Sequence, residues 1–277
     1  MDKKLLENLY SLMDRIDKDK ASMIIIDGGV GEGKTTLAVE CADEISLKYN
    51  NEIADLKIQL AHGGEDLIKK TKQCYENGKR VIIYDEAGDF SKRGALSRFN
   101  GRLNSYFEKY RALRLLVILT LPNFDTLDNS LFDKRIPRML LHCFKRNETR
   151  GIFKAYSLKR MLYIKVRMKD EIIKFKAYKS PNFWGRFYNL PDDRAEALRK
   201  ITISQKLDSI ISDKFREDLI GTNELLGHLG ITKMGLYKNL KRIGVKPKAN
   251  IKRQNYYDRS IINILKGMKL KRVGNNA

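Results

Sequence analysis

The chain has 277 residues, enough for an α/β domain with a buried core and a smaller second domain. Its 55 Lys and Arg residues outnumber its 34 Asp and Glu residues, a formal net charge of +21 that points to nucleic acid or a membrane surface as a partner. Three scattered cysteines exclude a disulfide framework, and the longest apolar run, residues 115–121, is far shorter than the ~20 residues that span a bilayer. We therefore expect free thiols, no membrane span and a cytoplasmic location.

The first half of the chain alternates helical and strand patterns. Residues 4–16 carry apolar side chains at helical spacing, and residues 23–26 form a short apolar run that predicts a buried strand. The elements predicted next are helix 34–48, strand 53–61, helix 65–75, strand 81–84, helix 95–112, strand 115–121, helix 125–133 and strand 138–144. Strands that alternate with helices favour an α/β fold with a mainly parallel sheet covered on both faces.

After residue 150 the pattern changes. Short strands are predicted at 151–158, 162–168 and 172–178, followed by a loop over residues 180–191 and then by helices. The expected organisation is an N-terminal helix at 1–22, a core at 23–150, a small basic β meander at 151–190 and an all-α basic region at 191–277.

Residues 28–35 read Gly-Gly-Val-Gly-Glu-Gly-Lys-Thr and fit the phosphate-binding pattern G-x-x-x-x-G-K-[ST] without a gap. The stretch follows a predicted strand and opens a predicted helix, which is the context that the motif requires. Glycines let successive N–H groups turn toward phosphate oxygens, Lys34 is expected to reach the β- and γ-phosphates of ATP, and Thr35 to bind Mg²⁺. The expected nucleotide-binding residues are Gly28, Gly29, Val30, Gly31, Glu32, Gly33, Lys34, Thr35 and Thr36.

The strand that ends near residue 84 is followed by two adjacent acids, Asp85 and Glu86. An apolar strand beside a phosphate-binding loop delivers a carboxylate to the metal, so we assign Asp85 to the Mg²⁺ shell together with Thr35. Glu86 is then placed to orient and deprotonate the attacking water as the catalytic base. Thr120 ends the next apolar strand, where a polar residue either senses the γ-phosphate or only caps the following turn.

Residues 23–160 resemble the FtsK/HerA-type ATPases, and among these the zonula occludens toxin-like proteins and virus genome-packaging ATPases. The resemblance lies in the loop 28–35, in residues 83–90 (Ile-Tyr-Asp-Glu-Ala-Gly-Asp-Phe), and in residues 110–122, where an Arg-rich helix runs into an apolar strand. The chain departs from that family at Thr120, where Gln is frequent, and in lacking the membrane segment that toxin-like members often carry. The resemblance implies a RecA-like P-loop fold and a hexameric homo-oligomer that moves DNA or assembles virions.

In such a ring, an arginine of one subunit could reach the γ-phosphate of its neighbour and stabilise transition-state charge. Among the arginines that follow the acidic pair, the candidates are Arg93 and Arg98.

Residues 222–245 favour a pair of short helices. Thr222 is placed to cap the first helix, Gly230 stands where a tight turn needs a left-handed residue, and Thr232 is placed to cap the second helix. The run 229–245 resembles the Fis-type helix-turn-helix, which implies that the second helix enters the major groove of duplex DNA. A plain basic helical hairpin is the alternative. The side chains expected to face DNA are Lys233, Lys238, Lys241 and Arg242.

These features together predict an ATP-hydrolysing DNA motor of a virus or mobile element, acting in DNA translocation or genome packaging with ATP and Mg²⁺. One alternative is an ATP-switched DNA-binding protein, such as a replication initiator, helicase loader or transcription regulator. Another is a virion-assembly ATPase. The expected partners are duplex DNA, further copies of the chain, and virion or mobilisation proteins, in the cytoplasm of the host cell or at the site of virion assembly.

Overall fold

The computed structural model describes residues 1–85, 110–127, 129–146, 149–168, 178–217, 219–247, 249–251 and 254–266. The chain divides into two compact units, Met1–Ile201 and Thr202–Ala277. The described helices are α1 (Lys3–Asp17), α2 (Lys34–Asn50), α3 (Leu56–Gln59), α4 (Gly64–Glu76), α5 (Asn129–Asp133), α6 (Leu158–Arg167), α7 (Asp192–Glu217), α8 (Thr222–Leu229) and α9 (Lys233–Arg242). The described strands are β1 (Met23–Asp27), β2 (Leu60–His62), β3 (Val81–Asp85), β4 (Leu116–Leu121), β5 (Pro137–Arg146), β6 (Thr149–Ser157), β7 (Phe183–Arg186), β8 (Leu219–Gly221), β9 (Ala249–Ile251) and β10 (Gln254–Asp258).

The first unit is built on a seven-stranded sheet in the order β2-β3-β4-β1-β5-β6-β7. The strands from β2 to β5 in this order pair in parallel, and β6 and β7 add two antiparallel strands at one edge. This confirms the predicted α/β fold with a mainly parallel sheet. Because β4 lies between β1 and β3, the carboxyl ends of these three strands meet at the same edge of the sheet.

Both faces of this sheet are covered, which explains why its central strands are apolar along their whole length. In β1, Met23 and Ile25 belong to one buried cluster, whereas Ile24 and Ile26 belong to the other. The first cluster includes side chains of α4 and α6, and the second includes those of α1 and α2. Successive residues of a strand point to opposite faces, so an uninterrupted apolar run marks a strand buried on both sides.

The strand predicted at 53–61 is wrong over most of its length. The Asp55 side chain accepts a hydrogen bond from the Lys57 N–H at 2.9 Å and starts the short helix α3, so only β2 pairs with β3. The loop predicted at 180–191 is also wrong in part, because it contains β7, which pairs with β6. This strand has only four residues, too few for a clear pattern.

The predicted β meander is interrupted by a helix. Residues 162–168, predicted as a strand, lie mainly in α6, because Met161, Ile164 and Met168 are buried at helical spacing. Lys165 in this helix is buried, and its ammonium group donates to the Leu127 carbonyl at 2.7 Å. The strand predicted at 172–178 lies, except for its last residue, outside the described residues, as does most of the helix predicted at 95–112.

The second unit contains a three-stranded antiparallel sheet in the order β8-β10-β9 besides its helices. The prediction of an all-α C-terminal region is therefore wrong. Strand β10 reads Gln-Asn-Tyr-Tyr-Asp, and Tyr257 is its large buried side chain, so no apolar run marks the strand in the sequence. The buried cluster of this unit joins β8, α8, α9, β10 and the helical residues 261–266. Its members are Ile220, Leu225, Leu229, Leu236, Leu240, Tyr257, Ile261 and Leu265.

Across the described part of the chain, no helix is long and apolar enough to span a bilayer.

Candidate nucleotide-binding site

The loop between β1 and α2 depends on glycine at several positions. Gly28, Gly31 and Gly33 have φ angles of 144°, 74° and 87°, which residues with a Cβ rarely adopt. A Cβ on Gly33 would also lie 2.8 Å from the Phe187 ring. The loop ends at Lys34, the first residue of α2, where the first N–H groups lack intrahelical acceptors. A helix start of this kind favours bound anions such as phosphate.

Two charged side chains of the loop bond to the loop itself. The Lys34 ammonium group donates to the carbonyl oxygens of Gly28 at 2.9 Å and of Gly29 at 2.8 Å. The Glu32 carboxylate accepts a hydrogen bond from the Gly29 N–H. Lys34, which is expected to reach the β- and γ-phosphates, therefore lies against the loop. Glu32 bonds to the Gly29 N–H, which is one of the groups expected to bind phosphate.

Asp85 brings together Thr35, which the sequence assigned with it to Mg²⁺, and Thr120, which the sequence suggested as a γ-phosphate sensor or a turn cap. It ends β3, is 4% exposed, and its Oδ1 accepts a hydrogen bond from the Thr35 hydroxyl at 3.0 Å and another from the Thr120 hydroxyl. Thr35 lies in α2 and Thr120 in β4, so the strand order produces this meeting. Hydroxyl and carboxylate oxygens are ligands that suit Mg²⁺, which binds few protein groups and completes its shell with phosphates and water.

The remaining predicted site residues have different positions. Glu86, Arg93 and Arg98 lie outside the described residues, so the catalytic base and the arginine in trans stay predictions. Val30 is exposed at the tip of the loop, and Thr36 is half-buried in the first turn of α2.

Sequence reasoning missed a buried aspartate beside the loop and the polar groups that bond to it. Asp27, the last residue of β1, is fully buried, and its carboxylate accepts hydrogen bonds from the Phe124 N–H at 3.2 Å and from the Tyr178 hydroxyl. Its other oxygen lies 2.9 Å from His142 Nδ1, and the His142 ring stacks on Tyr178 with 3.7 Å between centroids. Burial, together with the charge of Asp27, raises the pKa of Tyr178, so its hydroxyl stays protonated and donates. An aspartate that ends an apolar strand was the signal available in the sequence.

Cys143 lies against the start of the loop. A Cβ on Gly28 would be 2.5 Å from the Cys143 carbonyl oxygen, so the backbones of β5 and the loop approach closely. Burial raises the pKa of the Cys143 thiol, with a further contribution from the charge of Asp27. The thiol is therefore protonated at neutral pH and is unsuited to act as a nucleophile.

The exposed side of α9 is a second place where predicted residues lie together. The helix sequence contains no acidic residue, and its apolar side, with Leu236 and Leu240, is buried. Thr232 caps the helix by accepting a hydrogen bond from the Gly235 N–H at 3.2 Å, and Gly230 has the left-handed conformation expected in the turn. Its exposed cationic residues are Lys233, Lys238, Lys241 and Arg242.

The predicted cap of α8 is wrong. Gly221, not Thr222, is the N-cap residue. The Thr222 hydroxyl donates instead to the Asn255 carbonyl at 2.9 Å and so links α8 to β10.

No protein-family model and no curated protein matches the chain. Among solved structures it is similar to PCH-2 of C. elegans, with 16% identity and a TM-score of 0.39 over 61% of this chain and 48% of that one. It is also similar to the N-terminal domain of the zonular occludens toxin from Neisseria meningitidis, with 16% identity and a TM-score of 0.36 over 61% and 95% of the two chains. A third is the genome packaging NTPase B204 of Sulfolobus turreted icosahedral virus 2 in complex with ATP-γ-S, with 13% identity and a TM-score of 0.35 over 51% and 94%. These values are too low to indicate function, and the fold assignment rests on the strand order and the loop.

Proposed function

We propose that the chain is a Mg²⁺-dependent ATP hydrolase whose site is the loop 28–35 with Asp85 and Thr120. The observation that carries this proposal is the shared hydrogen bonding of Thr35 and Thr120 to one oxygen of Asp85. A phosphate-binding loop alone would suit any protein that binds a nucleotide. A buried carboxylate held beside the loop is the feature that hydrolysing sites add to it.

The residues of the proposed site have separate roles in ATP binding and hydrolysis. The N–H groups of the loop and of the first turn of α2 bind phosphate oxygens, and Lys34 exchanges its bonds to the Gly28 and Gly29 carbonyls for bonds to the β- and γ-phosphates. Thr35 and Asp85 would hold Mg²⁺, which when bound neutralises charge on the phosphate oxygens. Thr120 fixes the orientation of Asp85, and Glu86 takes the proton of the attacking water.

Replacement of Lys34 by Ala tests this assignment. We expect Mg²⁺-dependent ATP turnover to fall by about a hundredfold or more, because a charge that stabilises the transition state is lost. Glu86→Gln should abolish turnover while leaving ATP binding intact, which separates the base from the binding residues. Lys57→Ala, a change at an exposed lysine of α3, serves as the control. Wild-type turnover in Lys34→Ala would contradict the proposed site.

We propose as a second function that the C-terminal unit binds duplex DNA as a helix-turn-helix. The supporting observation is the exposed cationic side of α9, which follows a left-handed turn and a capping threonine. Each lysine that contacts a phosphate contributes about 0.9 to the slope of log affinity against log salt. Lys238→Ala and Lys241→Ala should therefore each flatten that slope by about one unit, whereas Lys200→Ala on α7 should not. Unchanged slopes in both α9 variants would refute this interface.

We further propose that the two activities combine in an ATP-driven DNA motor of a virus or mobile element. A ring of six subunits with ATP and duplex DNA, measured by native mass spectrometry, would support this proposal, as would displacement of a protein block from duplex DNA during continuous turnover. Slow turnover with binding to one sequence and no displacement would favour an ATP-switched regulator or replication initiator. Failure to bind duplex DNA would favour a virion-assembly ATPase.

A further inference from the structure

The exposed side of α9 carries two large apolar side chains among its cations. Met234 is 82% exposed and Tyr237 is 41% exposed. Met234, Tyr237, Lys238 and Lys241 follow each other at positions i, i+3, i+4 and i+7, so they form one stripe along the helix. The opposite side of the helix is occupied by Leu236 and Leu240 in the buried cluster of the unit.

Met234 does not serve the packing of its own unit. The core positions of α9 are filled, and a methionine that is almost fully exposed leaves apolar surface in water, where it contributes nothing to folding. Met234 is the second residue of the helix. In a helix-turn-helix, the N-terminal residues of the second helix are the ones that reach the edges of bases. Met234 therefore lies at the position of the helix that contacts base edges, and the exposed cationic residues of α9 lie near it on the same helix.

The charge of the surroundings indicates which partner fits this stripe. No acidic residue lies in α9, and the whole chain carries a net charge of +21, so two copies of this face would repel each other. A polyanion is attracted instead. In the major groove of DNA, the base edges present hydrogen-bonding atoms and a single apolar group, the C5-methyl of thymine.

We propose that Met234 and Tyr237 contact thymine C5-methyl groups in the major groove, and that the C-terminal unit thereby prefers sites with thymines at fixed positions. The inference rests on the proposed DNA-binding function and adds the base that is recognised. Lys233, Lys238, Lys241 and Arg242 contact phosphates around these bases and supply the part of the affinity that depends on salt. An experiment can distinguish the two kinds of contact. Removal of a thymine methyl group changes the affinity that depends on the methyl contact, whereas added salt changes the affinity that depends on the cationic contacts.

The experiment begins with a duplex selected from a random library by the full-length chain at moderate salt. The selected duplex is then synthesised with deoxyuridine in place of thymidine, one position at a time, which removes one methyl group and keeps every hydrogen-bonding atom. For the wild-type chain we expect affinity to fall about fourfold at each contacted position, the effect of burying one methyl-sized group. Met234→Ala should lose the response at one set of positions and Tyr237→Ala at another.

A matched control is Val166→Ala, which removes an exposed apolar side chain from α6 and should keep the full response to deoxyuridine. A selected duplex that binds the wild-type chain equally with thymidine or deoxyuridine at every position would overturn the inference and leave the DNA-binding function standing. A selection that enriches no sequence would also overturn it, because methyl recognition requires a preferred sequence. Absence of any binding to duplex DNA would refute the proposed DNA-binding function, and this inference with it.

Discussion

Replacement of Thr120 by Val tests how the candidate ATP site holds its acidic residue. Thr120 is fully buried at the end of β4, and its hydroxyl donates to Asp85. Valine has nearly the same shape and volume but no hydroxyl group. The change therefore removes one of the described hydrogen bonds to a buried carboxylate, leaves the Thr35 bond to Asp85 in place, and creates no cavity.

The size of the effect follows from the charge of the acceptor. A hydrogen bond to an ionised group contributes about 1.5–3 kcal/mol, and about 1.4 kcal/mol corresponds to a tenfold change in rate. If the whole bond serves to orient Asp85 during hydrolysis, kcat for ATP should fall by about 10- to 150-fold. KM should change little, because the loop and Lys34 are untouched. The free energy of unfolding should fall by about 1–3 kcal/mol.

Steady-state ATP hydrolysis with Mg²⁺ and urea denaturation measure these two quantities. The control is Thr71→Val in α4, where a buried hydroxyl donates to the Leu67 carbonyl at 2.7 Å, outside the site. The control variant should lose stability without losing turnover. Wild-type kcat in a folded Thr120→Val protein would refute the role given to this hydroxyl. Equal losses of kcat in both variants would show that destabilisation alone explains the result.

Three further predictions concern the loop and its surroundings. Gly33→Ala should weaken binding of a fluorescent ATP analogue by about tenfold or more, because the residue has a positive φ and a Cβ would meet the Phe187 ring; unchanged binding would refute this. Asp27→Asn should lower the free energy of unfolding in urea by about 1–3 kcal/mol, since the amide replaces a carboxylate that accepts hydrogen bonds from several donors; full stability would show that the buried charge is not needed. Cys143 should react slowly with a maleimide at pH 8 in the native state and rapidly in urea, because burial raises its pKa above the ordinary thiol value and lowers the thiolate fraction; mass spectrometry would detect fast native labelling, which would contradict the burial.

The features that the sequence predicted correctly are those that depend on neighbouring residues. Strands β1, β3 and β4 are short apolar runs, and each is buried on both faces as such runs predict. The spacing of the phosphate-binding motif is likewise local, since a strand end, a glycine turn and a helix start follow one another within residues 23–50. The turn before α9 carries its own signal in Gly230 and Thr232.

The features that the sequence could not predict depend on the order of strands in the sheet. Thr120 and Asp85 are 35 residues apart, and Asp27 and Tyr178 are 151 residues apart, yet each pair is joined by a hydrogen bond. Alternation of strands and helices predicts a parallel sheet but does not say which strands are neighbours. A side chain with both polar and apolar parts contributes to a further error. Lys165 lies in the stretch 162–168, predicted as a strand, and its long stem lets the helix bury it.

The position of β4 explains why these separate contacts form one unit. At its carboxyl end, Thr120 donates to Asp85 on the neighbouring strand β3. Four residues later, the Phe124 N–H donates to Asp27 on the other neighbour, β1, and Asp27 directly precedes the first glycine of the loop. The end of β4 and the short segment that follows it therefore bond to the acid assigned to Mg²⁺ and to the residue that precedes the phosphate-binding loop. Because β4 is buried on both faces of a close-packed core, we expect a shift of its end at Asp85 to strain the bond between Phe124 and Asp27 as well. We therefore expect β4, which contributes no residue to the phosphate-binding motif, to limit the movement of Asp85 relative to the loop.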